Sequence, residues 1–171
     1  MDYKKYVADY PDFPEKGIIF RDVSPLLADP RAFNSLLNQM AEAAYDMGDF
    51  DTVVGLDARG FVFGAALASR THCPFIMIRK KGKLPQGDLV EATYDLEYGK
   101  ATMQMHGTLI KGKKVIIVDD VMATGGTAKA AMDLVEAACG KVVGIITPCE
   151  LTFLNGRKKI GAVPFASFIK Y

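Results

Sequence analysis

The chain has 171 residues, half of them hydrophobic, and its 21 Lys and Arg against 20 Asp and Glu leave a net charge of +1. That length suits one domain with a substantial core, and so even a charge balance carries neither a nucleic-acid footprint nor a charged disordered tail. The opening MDYKKYVADYPDF has no apolar core of a leader peptide, and no run is long enough to span a bilayer. Cys73, Cys139 and Cys149 lack metal-ligand spacing, so reduced thiols in a cytoplasmic protein are expected.

Taken in order, residues 2–10 read as a short helix and Phe13-Pro14-Glu15-Lys16-Gly17 as a turn before the extended Ile18-Ile19-Phe20. Asp29-Pro30 is a strong helix start, Asp as N-cap and Pro at the first helical position, and that helix should run to Met47 before Gly48. Residues 1–30 thus precede the regular pattern and look like a hood or arm on a single domain spanning 1–171. Thr52–Leu56 is the first core strand, Asp57-Ala58-Arg59-Gly60 its exit loop and residues 61–70 the next helix. Phe75-Ile76-Met77-Ile78 is a second strand, ending in the basic Arg79-Lys80-Lys81-Gly82-Lys83. Residues 84–92 have Pro85, Gly87 and little periodicity, which reads as a mobile loop; residues 93–97 and 101–106 alternate about Gly99 as a hairpin. His72 and His106 stand alone and are read as structural or exposed.

The stretch VIIVDDVMATGGT, residues 115–127, organises the rest. Val115-Ile116-Ile117-Val118 is an apolar, β-branched run, suited to a strand buried on both faces of a parallel sheet. It ends in Asp119 and Asp120, after which Ala123, Thr124, Gly125, Gly126 and Thr127 turn into a helix over residues 128–139, stopped by Gly140. A glycine turn at a helix N-terminus offers amides and a dipole to a phosphate. Two carboxylates beside that phosphate need another task, such as sugar hydroxyls or Mg²⁺; a sugar phosphate satisfies both halves of the stretch. Residues 142–146 form another buried strand, and Gly156, Arg157-Lys158-Lys159 and the apolar 163–169 close the sequence. Strands alternating with helices predict an open, mostly parallel α/β sheet flanked by helices, with ligands at the C-terminal strand ends. Arg59 with Gly60 is then a second candidate anion site at that rim, and the 79–83 cluster is either a solvated charge run or a third.

The 115–127 stretch closely resembles the signature of the type I phosphoribosyltransferases, which bind 5-phosphoribosyl-1-pyrophosphate (PRPP). The resemblance implies Asp119 and Asp120 on the ribose hydroxyls and residues 123–127 around the 5′-phosphate. It further implies pyrophosphate at Asp57, Ala58, Arg59, Arg79, Lys83 and Tyr98, with a cis peptide between Asp57 and Ala58 and with Arg79 reaching across a homodimer. Glu97 and Tyr98 resemble the Glu-Tyr of the loop that covers the reacting centre, and Glu97 and Arg59 are the implied catalytic pair. FPEKGIIFRD, residues 13–22, resembles the hood over the base in adenine-using members, which places the base against Ile19, Phe20 and Arg21. Together these resemblances imply a purine-salvage transferase making AMP and pyrophosphate from adenine and PRPP with Mg²⁺, without a membrane or nucleic-acid partner. A transferase for xanthine or hypoxanthine, and a non-catalytic sugar-pyrophosphate sensor, are the alternatives. The chain departs from the family pattern over residues 84–93, which lack the usual threonine after Leu-Pro and are one residue longer, and at Pro148-Cys149 before Glu150.

Overall fold

A computed structural model describes residues 1–96 and 99–171. Its strands β1 (Ala8–Pro11) and β2 (Ile19–Asp22) pair antiparallel as a small N-terminal ribbon, followed by helices α1 (Ser24–Ala28) and α2 (Pro30–Asp46). Then come β3 (Thr52–Leu56), α3 (Gly60–Thr71), β4 (Phe75–Lys80), β5 (Leu89–Leu96) and β6 (Gly99–His106). The second half supplies β7 (Lys114–Val118), β8 (Val121–Met122), α4 (Gly126–Ala137), β9 (Lys141–Glu150), α5 (Arg157–Ile160) and β10 (Phe165–Lys170).

Among the described residues the main sheet runs β10-β9-β7-β3-β4-β6-β5, with β8 paired to β9. Every pairing from β10 to β4 is parallel, and β6 and β5 extend the sheet antiparallel. Strand β7 shows why the centre holds. Val115 and Ile117 enter one core with α4, while Ile116 and Val118 enter the other with α2 and α3. A strand with both faces covered has no use for alternation, which is why it reads as an unbroken apolar run. Helix α2 begins as expected: the Asp29 carboxylate accepts the Arg31 and Ala32 amides at 2.9 and 3.0 Å, with Pro30 at the first turn.

Residues 2–10 do not form the expected helix. Tyr3–Tyr6 is a single 3₁₀ turn with Tyr3 buried, and Ala8–Pro11 is strand β1, because residues 19–22 supply a partner that local periodicity cannot reveal. Likewise only residues 84–88 of the expected loop are loop. Strand β5 begins at Leu89 opposite His106, and Val90, Ala92 and Tyr94 pack on the core at strand period. Strand β9 is also longer than expected and carries Pro148 through to Glu150. Helix α4 starts two residues early and ends at Ala137; the left-handed residue past its end is Cys139, φ 60°, and Gly140 N donates to Val135 O at 2.9 Å.

Candidate active site

The exits of β3, β7 and β9 meet at one rim. Gly60 sets how closely they meet. A methyl group there would lie 2.9 Å from the Val118 carbonyl oxygen and 3.0 Å from the Asp119 Oδ1, so only glycine lets α3 begin against the end of β7. Strand β9 ties the same loop from the other side: Asp119 N donates to Ile146 O and Cys149 N to Asp120 O.

A cavity of about 420 Å³ opens at this rim, lined by the 57–59 loop, the acid pair and the glycine turn. Asp57, Ala58, Arg59, Asp119, Asp120, Ala123, Thr124, Gly125 and Thr127 all line it; Gly126 instead opens α4. The Asp57–Ala58 peptide is cis, as the resemblance implies. A second cavity of about 160 Å³ lies under the N-terminal ribbon, walled by Ile19, Phe20, Arg21, Val121, Cys149 and Leu151. Arg59 and Asp120 line both cavities. With Val121, which also lines both, they form the wall between them: Arg59 Nη2 lies 2.7 Å from Asp120 Oδ2 as an ion pair, and its guanidinium sits 4.9 Å from the Phe20 ring centroid.

The acid pair is electrostatically tense. Burial, then the neighbouring Asp120 charge, pushes Asp119 well above the usual carboxylate range. Burial raises Asp120 too, against the pull of Arg59. Asp119 Oδ1 accepts the Asp120 amide at 2.9 Å, which fixes its rotamer.

Arg79 and Lys83 do not line either cavity. Arg79 Nε donates to Asp57 Oδ2 at 3.1 Å and its Nη1 to the Lys83 carbonyl at 3.3 Å, which ties the 81–83 loop to the rim. Lys83 itself is exposed. Glu97 and Tyr98 lie outside the described residues. Lys80, from the basic 79–83 cluster, also lines the large cavity, as do Tyr94 and Thr147, which the sequence motifs do not announce. The hood has an unforeseen support in Tyr171. Its ring lies 3.9 Å from the Arg21 guanidinium and 4.5 Å from Lys4 Nζ, while Arg21 also pairs with Asp9. Among the described residues, Arg21 Nε is a buried donor with no partner.

A parallel sheet with a glycine turn, an acid pair and a basic loop at its C-terminal rim defines a sugar-phosphate-binding class. A family model described as "Phosphoribosyl transferase domain" matches residues 26–164, and the chain belongs to that family. Its relatives narrow the branch. It is 49% identical to the adenine phosphoribosyltransferase of Pseudothermotoga lettingae over 100% of both chains, and 50% identical to that of Mycoplasmopsis pulmonis over 99% of this chain and 98% of the other. The crystal structure of adenine phosphoribosyltransferase from Thermoanaerobacter pseudethanolicus superposes with a TM-score of 0.93 at 44% identity, covering 98% of this chain and 97% of that one. The Saccharomyces cerevisiae enzyme, solved with an imino-altritol bisphosphate and adenine, superposes at 0.89 with 40% identity, covering 96% and 94%.

Proposed function

We infer that the chain transfers the phosphoribosyl group of PRPP to adenine, giving AMP and pyrophosphate in purine salvage. The observation that carries this reading is the junction of the two cavities at Arg59 and Asp120. The larger cavity has the chemistry for a sugar phosphate, the smaller has mostly apolar walls that suit a base, and the bond to be made joins the two.

The turn amides at residues 123–127 and the α4 N-terminus take the 5′-phosphate. Asp119 and Asp120 accept hydrogen bonds from the ribose hydroxyls. Asp57, Ala58 and Arg59, at the larger cavity, hold the pyrophosphate, with Arg79, Lys83 and Tyr98 added to that set by the family resemblance and Arg79 reaching in across a dimer; the cations neutralise it as the C1–O bond breaks and the sugar gains oxocarbenium character. Ile19, Phe20 and Arg21 orient adenine so that N9 attacks the opposite face. Glu97 either takes the N9 proton or stabilises the cationic sugar. Asp119 and Asp120 offer the hard oxygen donors that suit Mg²⁺. The ion would be held mainly by the substrate's own oxygens, near these two acids; among the described residues no three Asp, Glu, His or Cys side chains gather into a cage. Mg²⁺ bound there would offset negative charge on the substrate oxygens. No helix among the described residues is long and apolar enough to cross a membrane. The family resemblance supports a cytoplasmic homodimer, which sedimentation velocity tests. Turnover assays with PRPP and each purine test the reaction, and no product with any base would leave only a sugar-pyrophosphate binder.

Asp120→Asn keeps the side chain's size and removes its charge, freeing Arg59. Turnover is expected to fall about 10²-fold, the scale of one lost electrostatic contact in a site. Equal activity by steady-state assay would take the acids out of the mechanism.

The raised acids also set a pH dependence. Ionised carboxylates are the better acceptors for ribose hydroxyls, so kcat/KM for PRPP should decline with falling pH, starting above the ordinary carboxylate range. Folding has the opposite sign. A raised folded-state pKa gives a contribution fully present below the unfolded value and lost as pH rises through the folded one. Asp119→Asn should therefore not lower, and is expected to raise, the melting temperature at neutral pH. Calorimetry showing a lower value would contradict the burial argument.

A further inference from the structure

Gly156 does not line either cavity, yet a side chain there would meet the phosphate turn directly. Its backbone is ordinary right-handed helix, φ −57° and ψ −29°, open to any residue. The need for glycine lies in a contact. A methyl group on Gly156 would sit 2.3 Å from the Ala123 carbonyl oxygen and 2.9 Å from the Gly125 nitrogen. The fit is reciprocal, since a methyl group on Gly125 would sit 2.3 Å from the Gly156 carbonyl oxygen. Ordinary non-bonded carbon contacts begin at about 3.5 Å. Every atom met belongs to the backbone, which has no rotamer by which to move aside.

The segment under the turn is clamped. Arg157 Nε donates to Glu150 Oε1 at 2.6 Å and Nη2 to Oε2 at 3.0 Å, a two-pronged pair that holds direction as well as distance. Ser167 Oγ donates to the same carboxylate, whose side chain is 6% exposed. The Arg157 guanidinium also lies 4.4 Å from the Phe165 ring centroid. Burial would raise the Glu150 pKa, but the Arg157 and Ser167 hydrogen bonds prevail and hold it below its usual value. Leu151 N closes the frame on Met122 O at 2.9 Å, just before the turn.

We propose that Gly156 is a positioning residue for the 5′-phosphate turn: it seats the backbone of residues 155–157 directly against residues 123–125, and the Glu150–Arg157 clamp keeps that seat in place. The proposal rests on reading the glycine turn as the phosphate site. The test compares wild type, Gly156→Ala and Glu150→Gln, with Gly125→Val as reference. Steady-state kinetics give KM for PRPP and for adenine separately, and calorimetry gives AMP affinity. A displaced turn should cost Gly156→Ala about 10²-fold in kcat/KM for PRPP, the scale of a roughly 1 Å misplacement. AMP affinity should fall with it, while KM for adenine and the circular-dichroism spectrum stay those of wild type. Glu150→Gln should show the same split more weakly, and carries the test if Gly156→Ala does not fold. Wild-type AMP affinity in folded Gly156→Ala overturns the proposal, as does an equal loss for adenine, which a general packing role would give. Absence of the split in Glu150→Gln removes the clamp. If AMP binding ignores Gly125→Val as well, the phosphate reading of the turn fails first and takes the proposal with it.

Discussion

Adenine is expected to be used at least about 10⁴-fold more efficiently than hypoxanthine, read as the ratio of kcat/KM at saturating PRPP. Adenine presents an amino donor at C6 and an acceptor at N1, whereas hypoxanthine reverses both. In the proposed reading the base meets the backbone of β2 in the smaller cavity, and a backbone carbonyl and N–H pair fits only one of those edges. The wrong base leaves two buried polar groups unpaired, each costing about 1–3 kcal/mol. Ile19 stands opposite Pro11 in the ribbon. Proline has no N–H, so that partner cannot occupy the Ile19 carbonyl. Cys149 in the same cavity adds no charge of its own: burial, then the Asp120 charge, pushes its thiol up to about 12, leaving it neutral. Ile19→Val should keep the preference, because the code lies in the backbone. Efficient hypoxanthine turnover would overturn the adenine reading and leave the broader family assignment standing.

The legible part of this molecule is the part whose chemistry is local. Residues 115–127 carry strand, acids, turn and helix start in one uninterrupted string, and the structure places the acids and turn around one cavity. Arg59 is equally visible, but its position as the wall between two cavities depends on Phe20 and Asp120, far from it in sequence. Strand β1 is invisible because its partner lies in residues 19–22 and three of its four residues are exposed, so no alternation marks it. The start of β5 is hidden by Pro85 and Gly87, although Val90, Ala92 and Tyr94 already repeat at strand period. Thr147, Cys149, Gly156 and Tyr171 come near the site only because β9 returns beside β7 and β10 beside β9. Nothing in the residues around Gly156 or Tyr171 foretells which backbone or which cation each one meets.

Gly125→Val is expected to lower PRPP and AMP affinity by about 10³-fold or more while adenine binding survives. Three effects converge at this residue. Gly125 has φ +77°, a left-handed backbone that costs a side-chain-bearing residue about 1–2 kcal/mol, more when the side chain is β-branched. Its Cβ would press on the Gly156 carbonyl oxygen at 2.3 Å, so the turn must shift before any ligand arrives. The shifted amides then no longer converge on the phosphate, and each donor lost from such a site is worth about 10²–10³-fold. The first effect is small beside a total stability of about 5–15 kcal/mol, and the contact can be relieved by moving the turn itself, so the protein should still fold. Adenine binding provides the internal control, because Ile19, Phe20 and Arg21 lie across the Arg59–Asp120 wall from the turn. Calorimetry with AMP and with adenine separates the outcomes: intact AMP affinity would mean that the phosphate lies elsewhere, and loss of both ligands would mean that the turn supports the whole rim rather than the phosphate alone.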